Sequence, residues 1–416
     1  MNNKKLKILA LSDHALSTSG VGTQSRHLFN GLIKKGCWTI RQFGAALKHT
    51  DYRTHIVNDD FIIKPIDGFG NPDMLRVALA TEKPDILFLF TDPRFFYWLF
   101  DMEDEIHQIC PIVWWHVWDN YPYPEFNSVF YKATDALNCH SHMTYTMLKE
   151  KHPEKVSFIP HALPQEIFHP LPDEEVKQSK MQLLGKSKAD HFIGIWINRN
   201  AKRKRPNDLL ESWKIFLDNL EKQEGHRKAT LIMHTEPKDQ EGPNLIATAS
   251  NFKLENNVIF STERLDFNQI NVLYNISDFC INISFAEGFG LGTLEAMMTG
   301  TPIIAAKTGG MIRQVVDYRD NTDNGVALDI DLRAMVGSQT VPYIYEDYVS
   351  NENIANGIMR LYKKTDDERI ELSKKVLNYA RNEFSYQKTV DLWHDSLLTV
   401  YKNWKTNYKR WDQMTL

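Results

Sequence analysis

The chain has 416 residues, which is too long for one compact core and predicts two domains. Its formal charge of −4 is close to neutral for this length, which argues against a protein drawn to nucleic acid or anionic lipid by its overall field. No run of about 18 apolar residues occurs, so the sequence predicts no membrane-spanning helix.

The start of the chain and its cysteines indicate the compartment in which the protein works. The first apolar run, Ile8 to Leu11, is short and polar residues follow it at once, so we read a strand there and not a secretory signal. The cysteines are far apart and form no C-x-x-C pair, which is typical of small buried side chains in a reducing compartment, and we expect a cytoplasmic protein. They are Cys37, Cys110, Cys139 and Cys280.

Short β-branched runs alternate with helical stretches along the whole chain, which is the pattern of parallel strands joined by crossover helices. In the first half the predicted strands are 6–12, 39–44, 85–91, 112–117, 136–141 and 156–160. In the second half they are 191–198, 229–234, 258–261, 279–284 and 302–306. The sequence therefore predicts an α/β protein in which each half forms its own sheet.

The segment 171–190 is rich in charge and free of aromatic residues, which favours a helical linker on the surface. We therefore expect a first domain over 1–175 and a second over 190–383, followed by a carboxy-terminal helix within 384–416. The weak periodicity of 326–350 favours a loop with one strand. Helical patterns follow at 353–362, 366–383 and 387–404.

The stretch "FAEGFGLGTLEAM" places two carboxylates around a run of glycines. A buried strand precedes it and a helix follows, so its glycines form a strand-to-helix turn, where a parallel sheet binds ligands. The start of the helix offers free N–H groups suited to phosphate, and glycines allow close approach of the backbone. Glu287 lies in the turn and Glu295 on the helix, so we expect them to contact different parts of one extended ligand.

A basic cluster follows the first strand of the second half. Arg199 comes first, and Lys202–Arg205 stands directly before Pro206, which suits the first turn of a helix. Cations that converge on a helix start can hold a diphosphate, and an arginine can bind two of its oxygens at once. The pair "DID" at Asp329 to Asp331 is isolated and is a poor candidate for a metal site.

Two loops of the first half carry candidate residues. Gly20 and Gly22 lie in the first strand-to-helix turn. His116 ends a central strand and Asp119 follows it, inside the aromatic loop from Trp114 to Tyr123. A histidine beside tryptophans is often only packed and hydrogen bonded, but the end of a central strand is also where ligands bind.

The spacing from Glu287 to Glu295 resembles the Glu-x7-Glu signature of retaining nucleotide-sugar glycosyltransferases with the two-Rossmann, or GT-B, architecture, above all their fourth family (group 1). The stretch 257–310 is similar to that family almost element by element. The resemblance implies two Rossmann-like domains that face a cleft, and a carboxy-terminal helix that crosses back to the first. It also implies that Glu287 contacts the transferred sugar and Glu295 the ribose. Backbone contacts to sugar and diphosphate are then expected from Phe289, Gly290 and Leu291.

The same resemblance assigns roles around the diphosphate. Arg199 and Lys204 are expected to neutralise the leaving group without an obligatory metal, with Arg203 or Arg205 as alternatives to Lys204. Thr308, Gly309 and Gly310 are similar to the Gly-Gly turn of the family. The chain departs from the family at Arg313, where an acid is usual, and at His161-Ala162, where Asn-Gly is usual.

In the first domain, the resemblance implies that Gly20 and Gly22 lie against the donor phosphates and the acceptor. His116 would contact the sugar near its reacting carbon, through its imidazole or its backbone. Asp119 would orient that histidine or help to activate the acceptor, and the spacing leaves both roles open.

The function implied is transfer of a sugar, with retention of configuration, from a UDP- or GDP-linked donor to a hydroxyl of a glycan, lipid or small molecule. No resident cofactor is expected. Alternatives are a sugar-nucleotide epimerase, a non-catalytic nucleotide-sugar binding protein and a phosphorylase-like enzyme, which would need a pyridoxal lysine. A nucleic-acid acceptor, stacked on the loop from Trp114 to Tyr123, is a further alternative.

Overall fold

The structure, a computed structural model, describes residues 5–47 and 50–407. This part of the chain divides into two compact units. The first unit contains the described residues through Ala162, the short segment Ser338–Pro342 and the chain from Tyr386 onward; the second contains Leu163–Gly337 and Tyr343–Ser385. The division after Ala162 comes before the predicted linker at 171–190, because Leu163 and Phe168 already pack in the core of the second unit.

The first unit is built on one sheet. Among the described residues it has eight strands, in the order β3-β4-β2-β1-β5-β6-β7-β8, and its pairs are parallel except for β3 with β4. The strands are β1 (Leu6–Asp13), β2 (Trp38–Ala45), β3 (His55–Asn58), β4 (Phe61–Pro65), β5 (Ile86–Thr91), β6 (Ile112–His116), β7 (Ala136–Cys139) and β8 (Val156–Phe158). The central strand β5 is buried along its whole length, as expected for a parallel strand covered on both faces.

Helices cover both faces of this sheet. They are α1 (Gly20–Lys34), α2 (Pro72–Glu82), α3 (Tyr97–Phe100), α4 (Glu103–His107), α5 (Ser128–Ala133) and α6 (His142–Lys151). The last helix of the described chain also belongs to this unit, because Trp393 and Leu397 pack in the same core as Trp115.

The second unit contains a parallel sheet that, within the described residues, has six strands in the order β11-β10-β9-β12-β13-β16. Two small antiparallel pairs, β14 with β15 and β17 with β18, lie outside it. The strands are β9 (Phe192–Ile197), β10 (Ala229–His234), β11 (Val258–Ser261), β12 (Phe279–Asn282), β13 (Ile303–Ala306), β14 (Val316–Asp317), β15 (Thr322–Asp323), β16 (Gly325–Leu328), β17 (Leu332–Val336) and β18 (Ile344–Tyr348).

The helices of the second unit are α7 (Asp173–Leu184), α8 (Pro206–Glu224), α9 (Leu245–Asn251), α10 (Phe267–Asn275), α11 (Leu291–Met298), α12 (Ile312–Val315), α13 (Asn351–Tyr362) and α14 (Asp366–Glu383); α15 (Tyr386–Asn407) is the last helix of the first unit. Helix α8 shows why the sequence folds as it does. Pro206 begins the helix, apolar residues from Leu209 to Leu220 bury one face, and Gly225 ends it with a left-handed φ of 73°.

The predicted α/β class with two parallel sheets is confirmed, and each of the predicted strands is present. The predicted helices near 353–362, 366–383 and 387–404 are also present, with the last one beginning and ending slightly outside its predicted bounds. The expectation of one strand in 326–350 was wrong, because the segment contains β17 and β18 as well as most of β16. Residues 408–416 of the predicted last segment lie outside the described part of the chain.

Two further expectations concern unpaired cysteines and the absence of a membrane-spanning helix. All four cysteines are free thiols, and Cys110, Cys139 and Cys280 are buried, as predicted. Among the residues that the structure describes, no helix is both long and apolar enough to cross a bilayer.

Candidate functional site

The second sheet has a switch point between β9 and β12. The chain runs from β9 outward to β10 and β11, then returns to β12 and continues to β13 and β16 on the other side. Ligands bind at such a point, because the loops that follow the two strands lead away from each other. We name these loops the β9 loop (198–205) and the β12 loop (283–290). They are joined where the Phe285 N–H donates to the carbonyl of Arg203 at 3.0 Å.

A third loop, the β13 loop (307–311), packs against the β12 loop. The Gly310 N–H donates to the carbonyl of Glu287 at 2.9 Å. A Cβ atom at position 310 would stand 2.3 Å from the carbonyl oxygen of Gly288 and 2.5 Å from the Cα of Phe289. Glycine is therefore required at 310 by the approach of two backbones, and three loops meet at one edge of the sheet.

Lys204 and Glu287 form an ion pair across two of these loops. The Lys204 ammonium contacts the Glu287 carboxylate, and Arg203 Nη1 lies 3.8 Å from the same oxygen. The side chains of the pair are only 8% and 13% exposed. Burial alone raises the pKa of Glu287, but the charges of Lys204 and Arg203 outweigh it, so the net pKa is lowered. Glu287 is therefore an ionised carboxylate at neutral pH.

Glu295 lies on α11 in a different environment. Its carboxylate accepts a hydrogen bond of 2.8 Å from the Tyr274 hydroxyl. Burial raises its pKa to about 7, and the bond from Tyr274 offsets only part of this rise. The two motif glutamates are thus held by different partners, and only Glu295 is poised to change charge near neutral pH.

The start of α11 is fixed by a network that the sequence analysis missed. Gln314 is fully buried, and its amide donates to the carbonyls of Phe289 at 2.7 Å and Gly290 at 3.2 Å. The Thr293 hydroxyl lies within hydrogen-bonding distance of Gly290 O and of Gln314 Oε1. Position 290 has a left-handed φ of 89° and begins the turn into Leu291, where glycine is favoured. Phe289 points its ring into the core.

Arg199 is ion-paired to two acids of its own unit. Its guanidinium donates to both carboxylate oxygens of Asp239, at 2.9 and 3.2 Å, and lies 2.9 Å from Glu241. The side chain is 55% exposed. The structure therefore brings Lys204, but not Arg199, into contact with the motif. Arg205 is buried and bonded to protein groups, so it is not an exposed phosphate ligand.

The loop between β1 and α1 contains the residue that caps the start of α1. Ser19 caps this helix by accepting from Gly22 N at 3.0 Å, and its hydroxyl donates to Asp13 at 2.6 Å. A Cβ at Gly22 would stand 2.5 Å from the carbonyl of His14, so the position needs glycine for packing. Gly20 begins α1 and is exposed.

His116 ends β6 and lies in the interior of the first unit. Its imidazole is fully buried, packs on Trp114 at 4.5 Å between ring centroids and lies 2.9 Å from the Tyr131 hydroxyl. Burial lowers its pKa to about 3, so the ring is neutral. The structure favours a packed, hydrogen-bonded histidine. Asp119 is half-buried in the next loop. The pKa of Arg94 is raised mainly by the hydrogen bonds that it donates to Asp92, and the charge of Asp119 adds to this rise.

The aromatic loop does not form a stacking surface at its tryptophans. Trp114 and Trp115 are fully buried, and Trp115 stacks on Phe90 at 4.1 Å. Tyr123 is half-buried, with its hydroxyl 2.8 Å from His152. Trp114 and Trp115 are therefore not available to stack on the bases of a nucleic-acid acceptor.

The remaining predicted positions are the possible metal ligands Asp329 and Asp331 and the residue His161. Over residues 5–47 and 50–407, no group of three or more His, Cys, Asp or Glu side chains is placed to hold a metal ion. Asp329 pairs with Lys307 at 2.6 Å, and Asp331 accepts from the Ser350 N–H at 2.7 Å, so both carboxylates have structural partners. His161 is buried, and burial holds its pKa well below the ordinary value.

The second half of the chain matches a described family model. Residues 182–383 match the family model described as Glycosyl transferases group 1, which includes the β9, β12 and β13 loops. Glycogen synthase from Hydrogenobaculum sp. is 26% identical over 154 residues, which are 36% of this chain and 29% of that protein. The chain thus spans less than a third of the length of that curated relative.

Solved structures match over nearly the whole chain. Sucrose-phosphate synthase from Thermosynechococcus elongatus has a TM-score of 0.71 at 15% identity, covering 96% of this chain and 100% of that one. HepE from Anabaena, in complex with UDP and glucose, has a TM-score of 0.67 at 16% identity, covering 95% and 100%. At such identities the likeness establishes the fold alone. The chain therefore has the two-domain GT-B fold, and its residues 182–383 match the group 1 glycosyl transferases.

Proposed function

We propose that this protein is a glycosyltransferase that moves a sugar from a nucleoside diphosphate sugar to an acceptor hydroxyl. The observation that carries the proposal is the arrangement at the switch point of the second sheet. An ionised Glu287, a buried cation at Lys204 and the start of α11 meet there, with Glu295 further along the same helix. The match of residues 182–383 to the group 1 family supports it.

The second unit would be the donor domain. Diphosphate oxygens would bind the N–H groups at the start of α11, where the left-handed Gly290 turns the chain, with Lys204 and Arg203 as cations. Arg199 would exchange its present acidic partners for the diphosphate. Glu295 would accept hydrogen bonds from the ribose hydroxyls, and Glu287 would position the sugar. We propose that no metal is needed, because fixed cations supply the charge.

The proposed donor is a UDP-sugar, and two similar structures support this choice. HepE was solved with UDP and glucose, and a trehalose-6-phosphate protein from E. coli was solved with UDP-2-fluoro glucose. The proposed acceptor is a hydroxyl of a glycan, lipid or small molecule, bound by the first unit.

The proposed reaction retains the configuration of the sugar. The bond between the anomeric carbon and the diphosphate oxygen breaks, and the electron pair stays on the diphosphate. The acceptor oxygen then bonds to the same face of the anomeric carbon, and its proton passes to the departing diphosphate. Lys204, Arg203 and the start of α11 would stabilise the negative charge that develops there. Glu287 would remain a carboxylate throughout and would not attack the sugar.

The experiment begins with a calorimetric screen of UDP-, GDP- and ADP-glucose, and continues with transfer assays on the donor that binds. Glu295→Ala should weaken donor binding, whereas Glu287→Ala should mainly slow transfer. The anomeric configuration of the product, read by NMR, tests retention. If both variants keep wild-type binding and turnover, the assigned site is wrong.

Two other functions of the same fold give different results in these assays. A nucleotide-sugar binding protein would bind donor tightly and transfer to none of the acceptors tested. An epimerase would convert the donor into an epimer without any acceptor. The Lys204–Glu287 pair beside the start of α11 favours transfer, because it places fixed charge where a diphosphate leaves.

A further inference from the structure

Arg205 combines two unfavourable features at one position. Its backbone is left-handed, with a φ of 55°, which costs free energy in a residue that has a Cβ. Its Nη1 is buried and has no hydrogen-bond partner among residues 5–47 and 50–407, which is costly for a charged group. Such an arrangement persists only where the surroundings hold it in place, and strain of this kind clusters at functional sites.

The guanidinium of Arg205 joins three segments of the second unit. Nε donates to Asp208 at 2.7 Å in the first turn of α8, and Nη2 donates to the Val349 carbonyl at 2.9 Å, just after β18. The Cζ atom lies 5.3 and 5.4 Å from the ring centroids of Phe285 and Tyr348, which are 4.4 Å from each other. A planar arginine can stack and donate in several directions at once, and a lysine cannot.

Backbone hydrogen bonds repeat the same connection. The Asp347 N–H of β18 donates to the carbonyl of Phe285 at 2.9 Å, and the Phe285 N–H donates to the β9 loop at 3.0 Å. Phe285 lies two residues before Glu287, and Arg205 directly follows Lys204. A shift of Arg205 against Phe285 is therefore transmitted to the ion pair through one or two residues.

We propose that Arg205 is a positioning residue that clamps the β9 loop, the β12 loop and the end of β18 into one frame, and thereby holds Lys204 against Glu287. It acts through these two residues and does not touch the reacting atoms. The effect on turnover rests on the proposed function, but the effect on the loops does not, so the two are tested separately.

Three substitutions of Arg205 separate the effect of its side-chain contacts from the effect of its strained backbone. Arg205→Gly removes the side chain and fits the left-handed backbone without strain. Arg205→Ala removes the side chain and keeps the strain, and Arg205→Lys keeps the charge without the stack. The matched control is Arg319→Ala, because Arg319 is also ion-paired, to Asp317 at 2.6 Å, and lies over the ring of Tyr379 at 5.0 Å.

Hydrogen exchange tests the loops without any substrate. The amides of Phe285 and Asp347 donate the backbone hydrogen bonds of this frame, and the Gly310 amide of the β13 loop donates to Glu287 in the β12 loop. Peptides that contain them should exchange faster in the Gly and Ala variants than in the wild type, and at the wild-type rate in the Arg319→Ala control. The Gly variant should melt at a higher temperature than the Ala variant. Unchanged exchange in a folded Gly variant overturns the clamp, even if the Ala variant fails to fold.

Turnover and its pH dependence test the consequence for the ion pair. At saturating UDP-glucose the Gly variant should turn over about ten- to hundredfold more slowly than the wild type, since small misplacements at a reacting centre cost this much. The charges of Lys204 and Arg203 lower the pKa of Glu287. If these cations are held less firmly, that pKa should rise, and the acid limb of the pH–rate profile should move to higher pH. The Lys variant should lie between the wild type and the Gly variant.

The outcomes distinguish a failed clamp from a failed function. Wild-type protein that neither binds nor transfers any nucleotide sugar contradicts the proposed function, while faster exchange in the Gly variant still supports the clamp. A wild type that transfers sugar, beside a Gly variant with the same turnover and the same acid limb, overturns the clamp alone. Full turnover by the Lys variant overturns it as well, because charge without stacking would then suffice.

Discussion

The raised pKa of Glu295 predicts that donor binding depends on pH near neutrality. The carboxyl is half-buried and bonded to the Tyr274 hydroxyl, and burial raises its pKa to about 7. Ribose hydroxyls donate most strongly to the ionised form, and the protonated form has lost much of its accepting capacity. UDP-glucose itself has no group that titrates between pH 6 and 8. Its binding should therefore weaken as the pH falls through 7.

The size of the effect follows from the pKa. With a pKa of about 7, roughly one eleventh of Glu295 is ionised at pH 6 and roughly ten elevenths at pH 8. If only the ionised form binds, the dissociation constant rises about tenfold from pH 8 to pH 6, which corresponds to about 1.4 kcal/mol. Above pH 8 the dependence should disappear, because the carboxyl is already ionised.

Calorimetric titration with UDP-glucose at pH 6, 7 and 8 measures this dependence. Glu295→Gln places a neutral amide at the same position, so binding should be weaker and independent of pH over this range. Tyr274→Phe removes the hydrogen bond that lowers the pKa of Glu295, so the midpoint of the pH dependence of donor binding should move to higher pH. A wild-type dissociation constant that stays level from pH 6 to 8 would show that donor binding does not depend on the ionisation of Glu295. If the dissociation constant of the Glu295→Gln variant still changes with pH, a group other than Glu295 is responsible for the pH dependence.

Other predictions concern stability and loop packing. Relative to Glu295→Gln, the wild type should lose up to about 3 kcal/mol of unfolding free energy from pH 5 to 8, because the folded pKa exceeds the ordinary 4.5 and burial of the carboxylate becomes unfavourable. In urea unfolding, Lys204→Ala should cost about 1–3 kcal/mol by leaving Glu287 without its nearest cation, whereas the exposed Lys202→Ala should cost under about 0.5; equal losses would contradict the pairing. Gly310→Ala should abolish UDP-glucose binding in calorimetry, because its Cβ meets the backbone of the β12 loop at 2.3 Å, and retained affinity would contradict this packing.

The sheets were predictable because their strands are buried on both faces. Runs such as Ile86–Thr91 and Phe192–Ile197 are almost wholly apolar and stand out between helical stretches. The strand at His55–Asn58 was missed because it is a short, exposed edge strand. The hairpin of β17 and β18 was missed because both faces are partly exposed, which weakens the alternation that marks a strand.

The site was predictable in its loops but not in its contacts. The spacing from Glu287 to Glu295 places one carboxylate in the turn and the other on α11, as the structure has them. Which member of 202–205 contacts Glu287 depends on how the β9 loop folds, and no local pattern encodes it. The bond from Tyr274 to Glu295 and the role of Gln314 join segments about twenty residues apart, so only the folded sheet reveals them.

Hydrogen exchange of the wild-type protein with and without UDP-glucose tests most directly whether the loops at the switch point bind the donor. Bound donor should slow exchange in the peptides that cover 286–292, at the start of α11, and 309–310 in the β13 loop. Glu295→Gln should need a higher donor concentration for the same protection. If saturating UDP-glucose leaves the exchange of both segments unchanged, the donor does not bind at these loops.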